Sequence, residues 1–193
     1  MGTVHAEIDA SLAAWLAAQP LFFVATAPRD GGHVNVSPKG LDGTFVVLGP
    51  HAVAYLDLTG SGVETISHVR ENGRITLMFC SFGDKPRVVR LHGRGHVHMP
   101  GDDGFTDLRA RFGDYPAVRA VIGVDVERVS SSCGFGVPQM DVVAERDTLT
   151  RYWDRKGPDA VPTYWDEKNS TSIDGLPGLP ATPDVGTQNA PTR

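Results

Sequence analysis

Ile8, Leu12, Trp15 and Leu16 recur at the spacing of one helical face, so the chain is expected to open with an amphipathic helix. Leu21 to Thr26 is a continuous apolar run of strand length, and Pro28-Arg29-Asp30-Gly31-Gly32 is a strong turn. His33 to Ser37 alternates and completes a hairpin. Phe45–Leu48 and Ala52–Leu56 read as a second strand pair across Gly49-Pro50. A helix is expected after Ser61, with a left-handed stop at Asn72-Gly73. Two longer strands follow, Arg74 to Phe82 and Arg87 to His98, joined by Gly83-Asp84-Lys85-Pro86. Asp102 to Phe112 reads as a helix, Asp114 to Arg119 as a shorter one, and Gly123 to Val129 as a further strand. Leu149, Tyr152, Trp153 and Lys156 suggest a late amphipathic helix.

About six closely spaced strands with few, peripheral helices predict a mainly β fold, a meander closing into an antiparallel barrel. The expected organisation is a barrel domain over residues 1–145, a helix with an extended capping segment over 146–180, and a flexible tail over 181–193. Within the capping segment, Ile173 and Leu176 are the expected apolar anchors, on a base of Tyr164 and Trp165.

One turn stands out. Val53 to Asp57 leads into Leu58-Thr59-Gly60-Ser61-Gly62-Val63-Glu64-Thr65, which places glycines at a strand-to-helix junction. Backbone N–H groups at a helix start can receive an anion. No lysine follows in Walker A spacing, and the positions around Ser61 lack the glycines of a nucleophile elbow. Ser61 and Glu64 also have capping-box spacing, so a plain capped helix and an anion site both remain open.

Composition narrows the classes. The formal charge of −5 over 193 residues lacks the basic footprint of a nucleic-acid binder. No apolar run is long enough to span a membrane, and no secretory signal pattern opens the chain. Cys80 and Cys133 form neither a disulfide framework nor a metal knuckle, which points to a reducing cytoplasm. His92, His96 and His98 share a strand face but lack a carboxylate or cysteine to complete a metal set.

Four segments, Asn35–Gly40, Ala54–Thr65, Asn72–Phe79 and Pro86–Gly93, resemble the pyridoxamine 5′-phosphate oxidase-related proteins. Ser132–Pro138 and Ser172–Pro177 resemble one branch of that family. The resemblance implies an FMN-binding split β-barrel, a homodimer with flavin sites between subunits, and a small-molecule substrate. The oxidase itself has Ser-Arg-Lys at this helix start, and its basic residues grip the FMN phosphate. Here Gly62 and Val63, or Val63, Glu64 and Thr65, stand in those places, and both positive charges are absent.

On this resemblance the candidate cofactor-binding residues are Ser37, Lys39, Asp57, Leu58, Thr59, Ser61, Gly62, Thr65, Arg74 and Arg90. Lys39 is a candidate phosphate cation in place of the missing pair. Ser61 and Thr65 are hydroxyl donors on the first helical turn. Asp57, Leu58 and Thr59 would follow the ring edge, and Arg74, Arg87 or Arg90 would sit near its pyrimidine end, where a cation stabilises reduced flavin. The resulting expectation is an FMN-dependent oxidoreductase of unassigned substrate. The alternatives are a cofactor-free or flavin-storing protein, or a deazaflavin or haem binder in the same cleft.

Overall fold

The computed structural model describes residues 2–181, so the tail expected over 181–193 lies outside the described residues from 182 onward. The elements run in order β1 (Thr3–His5), α1 (Ala10–Ala17), β2 (Phe22–Thr26), β3 (Asn35–Lys39), β4 (Phe45–Gly49), β5 (Ala52–Leu58) and α2 (Glu64–Asn72). They continue β6 (Arg74–Cys80), β7 (Val88–His98), α3 (Phe105–Arg109), β8 (Val118–Ser132), α4 (Thr148–Lys156) and α5 (Ala160–Lys168).

The strands form one antiparallel sheet in the order β3-β2-β6-β7-β8-β5-β4, with β1 paired to β8. One edge of β8 is covered by β7 along nearly its whole length; the other is shared by β5 and β1. The sheet curls until its two ends meet through side chains. Phe45 on β4 reaches Phe22 on β2 and Phe79 on β6, with ring centroids 5.4 and 5.0 Å apart. Strands β3 and β4 do not pair, which leaves the barrel split. This is the split β-barrel that the resemblance implied.

Alternation assigns each strand two faces. On β5, Val53 and Tyr55 point into the main core with Leu77, Leu91 and Ile122. Ala54 and Leu56 face outward, against Val121, Phe105 and Phe112. Helix α1 starts on Asp9, whose Oδ1 accepts from the Leu12 N–H at 2.7 Å, and buries Leu12 and Leu16. Helix α2 ends on Gly73, in the expected left-handed conformation with φ 72°.

Four expectations change. The helix expected over Asp114–Arg119 is absent: Ala117 turns with φ 53° and β8 starts at Val118, because Val118 and Val121 pair with β5. The Asp102–Phe112 helix shrinks to Phe105–Arg109, after Gly104 in the left-handed region at φ 77°. A second late helix, α5, follows α4. The segment after α5 is ordered, but it folds back as a small hairpin through the Thr171–Pro177 bridge. Its buried residues are Asn169, Ser172, Gly178 and Leu179, while Ile173 is 73% exposed.

Candidate functional site

Asp57 is the last inward-facing residue of β5 and is fully buried. Its Oδ1 accepts from Lys39 Nζ at 2.9 Å and its Oδ2 from Arg119 Nε at 2.7 Å. Burial alone would push this carboxyl up. The charges of Arg119 and Lys39, and their hydrogen bonds, outweigh that and bring it from 3.8 to about 2. Asp57 is therefore ionised throughout the neutral range. Beside it, the Tyr55 hydroxyl is buried without a partner among the described residues. Burial and the Asp57 charge hold its pKa well above 10.0.

Arg119 extends from this pair to the glycine turn. Its Nη1 donates to Gly62 O at 2.8 Å and to Asn169 Oδ1 at 3.0 Å. Asn169 in turn donates from Nδ2 to Gly60 O at 2.9 Å. Thr59 is buried beneath both C-terminal helices. Its carbonyl accepts from Trp153 Nε1 at 3.0 Å, and its hydroxyl accepts from Trp165 Nε1 at 2.9 Å. The strand-to-helix turn is thus held from below through its carbonyls.

The capping box does not form. The N-cap of α2 is Val63, with no side-chain cap, and Ser61 is exposed. Glu64 instead accepts from the Ile173 N–H at 3.3 Å. Thr65 Oγ1 accepts from Asn35 Nδ2 at 3.1 Å, and Ser37 Oγ donates to Asn35 Oδ1 at 3.1 Å. This network continues to Thr26 and the fully buried His68, whose Nδ1 shares a 3.0 Å hydrogen bond with Thr26 Oγ1. Burial pushes the His68 pKa down from 6.5, against the opposing pull of Asp174, Glu64 and Glu71.

A cavity of about 820 Å³ opens beside this cluster. Pro38, Lys39, Leu56 and Leu58 form one wall, and the stretch from Met140 to Tyr152 forms the other. The covering stretch is tethered by the Met140 N–H to Phe82 O at 3.0 Å and by Glu145 Oε1, which accepts from the Asp42 N–H at 2.9 Å. The volume and the apolar lining are those of a small-molecule pocket.

The ten sequence candidates therefore divide. Lys39 and Leu58 line the cavity, with Asp57 behind Lys39. Ser37 and Thr65 meet through Asn35, and Thr59, Ser61 and Gly62 form the turn above Arg119 and Asn169. Arg74 and Arg90 are not brought to this cluster. Arg74 sits at the far end of α2, holding Asn72 Oδ1 and Pro28 O; Arg90 Nη1 donates to Ser132 Oγ. Sequence reasoning missed Arg119, Asn169, Asn35 and His68. A lone arginine between Val118 and the apolar run Ala120-Val121-Ile122 was the available signal for Arg119. Among the described residues, no three histidine, cysteine or acidic side chains gather as a metal set, and no helix is long and apolar enough to cross a membrane.

Residues 8–133 match the family described as Pyridoxamine 5′-phosphate oxidase. The pyridoxamine 5′-phosphate oxidase family protein ustO of Aspergillus flavus is 44% identical over 197 residues, covering 93% of this chain and 78% of that protein. Among solved structures, a HupZ variant from Group A Streptococcus gives a TM-score of 0.50 at 21% identity, covering 65% of this chain and 99% of the other. A FAD-binding protein from Mesorhizobium loti gives 0.48 at 17% identity, covering 68% and 96%. At 21% identity the likeness to HupZ speaks for the fold alone.

Proposed function

The chain belongs to the pyridoxamine 5′-phosphate oxidase family, and from that premise we propose that it is a flavin-dependent oxidoreductase whose ring system lies in the cavity beside β3 and β5. One observation supports this above others: the cavity of about 820 Å³ has Lys39 and Leu58, two of the family-implied positions, in its wall. Apolar side chains from both walls suit a flat, poorly hydrated ring. A phosphate is less well served, because Lys39 is committed to Asp57. A bound flavin supplies two-electron redox chemistry. This chain's own part is the dry wall, the fixed β5 strand and an anion, Asp57, that cannot exchange a proton near neutrality. The substrate is a small molecule sharing the cavity.

The active form in this reading is a homodimer. Phe135, ahead of the cavity cover, and Val143, within it, are 83% and 96% exposed, and Val36 on the outer strand β3 is exposed together with Val34 just before that strand. A flavin-storing protein without turnover is the second reading. It is favoured by the locking of Asp57 between Lys39 and Arg119, which removes that carboxylate as an acid or base.

Visible absorption of the purified full chain, followed by chromatography of whatever denaturation releases, tests flavin binding. A colourless protein that takes up no added flavin refutes the proposal. Flavin that binds but is neither reduced nor reoxidised across a panel of amine and nicotinamide donors places the chain with the storage reading.

A further inference from the structure

We infer that the site holds its flavin by the ring and is indifferent to the terminal phosphate, so that riboflavin and FMN bind alike. This rests on the flavin reading above and specifies the ligand for the same cavity.

The argument is one of charge. The charged residues on the cavity wall are Lys39 and Arg146 against Asp141 and Glu145, which cancel. Lys39 is held by Asp57 at 2.9 Å. A phosphate that drew Lys39 away would leave a fully buried carboxylate with Arg119 alone. Arg119 is itself committed, to Asp57 and to acceptors on Gly62 and Asn169. A phosphomonoester brings roughly −1.5 to −2 charges, and among the described residues this cavity has no surplus cation to meet them.

The start of α2 is no better. Glu64 stands in its first turn, and a Cβ on Gly62 would run into the Glu64 carboxylate. Oε1 of Glu64 already accepts from the Ile173 N–H of the C-terminal hairpin. An acidic side chain next to these N–H groups lowers their attraction for a second anion. Arg70, in the last turn of this helix, is committed as well: it donates to Gly178 O at 2.7 Å. What the cavity does offer is apolar: Leu41, Leu56, Leu58 and Tyr152 surround the space with surface suited to an uncharged ring system.

The test is a titration of the full-length, flavin-free chain with riboflavin and with FMN, followed by flavin fluorescence, at low and at high salt. The expected result is dissociation constants within about threefold of each other, with the FMN value insensitive to salt. FMN binding more than about tenfold tighter than riboflavin overturns the inference and leaves the flavin reading standing. Failure of both flavins to bind removes the flavin reading, and the inference with it. Lys39→Met and Arg146→Gln form the second arm. Arg146 is exposed, so its replacement leaves the fold intact. Each variant should move both ligands by the same factor. A loss confined to FMN identifies a phosphate anchor and overturns the inference.

Discussion

Replacing Asp57 by Asn keeps the shape of the side chain and removes its charge. Arg119, with its side chain only 5% exposed, then loses its counter-ion but keeps its contacts to Gly60, Gly62 and Asn169. Lys39, at 21% exposure, can turn into the cavity and recover solvent. Removing one partner of a buried pair costs about 3–5 kcal/mol, and the freedom of Lys39 places Asp57→Asn at the lower end. Titration provides a second handle. The folded-state pKa of about 2 lies below the ordinary 3.8, so this contribution is complete above 3.8 and is lost as pH falls through about 2. It amounts to about 2 kcal/mol in all, of which about half is lost by pH 3. Urea unfolding of both proteins at pH 7, 5 and 3 measures it. The stability gap should be near 3 kcal/mol at pH 7, little changed at pH 5, and smaller by about 1 kcal/mol at pH 3. A gap under about 1 kcal/mol at pH 7, or one that widens on acidification, refutes the account of Asp57 as an ionised, doubly paired carboxylate.

Gly178→Ala would drive a Cβ into the Asn169 carbonyl oxygen and to 3.0 Å from Val63 Cγ1; a loss of about 1–3 kcal/mol is expected from thermal unfolding, and an unchanged Tm would show the hairpin to be slack. His68 has a folded pKa below its ordinary 6.5, so the unfolded chain takes up the proton first, and stability falls as pH drops below 6.5. Urea titrations between pH 7.5 and 5 should therefore show a shallower slope for His68→Gln, and matching slopes count against the buried neutral imidazole. Sedimentation at micromolar concentration should give about twice the 20.7 kDa chain mass; a monomer removes the two-chain site.

Local patterns were readable because local residues decide them. The alternation and apolar runs around β2, β5 and β6, the turn at Gly31-Gly32 and the Gly73 stop each follow from neighbours in sequence. Arg119 shows where that reading fails. Its neighbours Asp114 to Val118 suggest a helix, but pairing with β5 overrides propensity, and its partner Asp57 lies 62 positions away. The capping box failed for a related reason: Glu64 finds a backbone donor at Ile173, 109 positions on, and releases Ser61 to solvent. The C-terminal hairpin reverses the apolar-anchor rule. Asn169 is buried because Arg119, Gly60 and Ser61 satisfy it, whereas Ile173 faces out. Lys39 was singled out from its motif as a phosphate cation; the structure sets it in the cavity wall, and its commitment to Asp57 was invisible without the fold.

The central position of β8 sets the order in which this protein can be made. Strands β5 and β7 never pair with each other; both wait for β8, and so does β1 at the other end of the chain. On a ribosome adding about 5–20 residues per second, the β5 edge stays open for roughly 4–15 s before residue 132 has been added. Throughout that interval Val53 and Tyr55, joined by Leu91 once β7 has been made, lack the strand that completes their shelter. Non-local pairing of this kind folds slowly and exposes strand edges to other nascent chains. Yield in a host should therefore depend on translation speed and chaperone supply more steeply than the stability of the finished barrel would suggest.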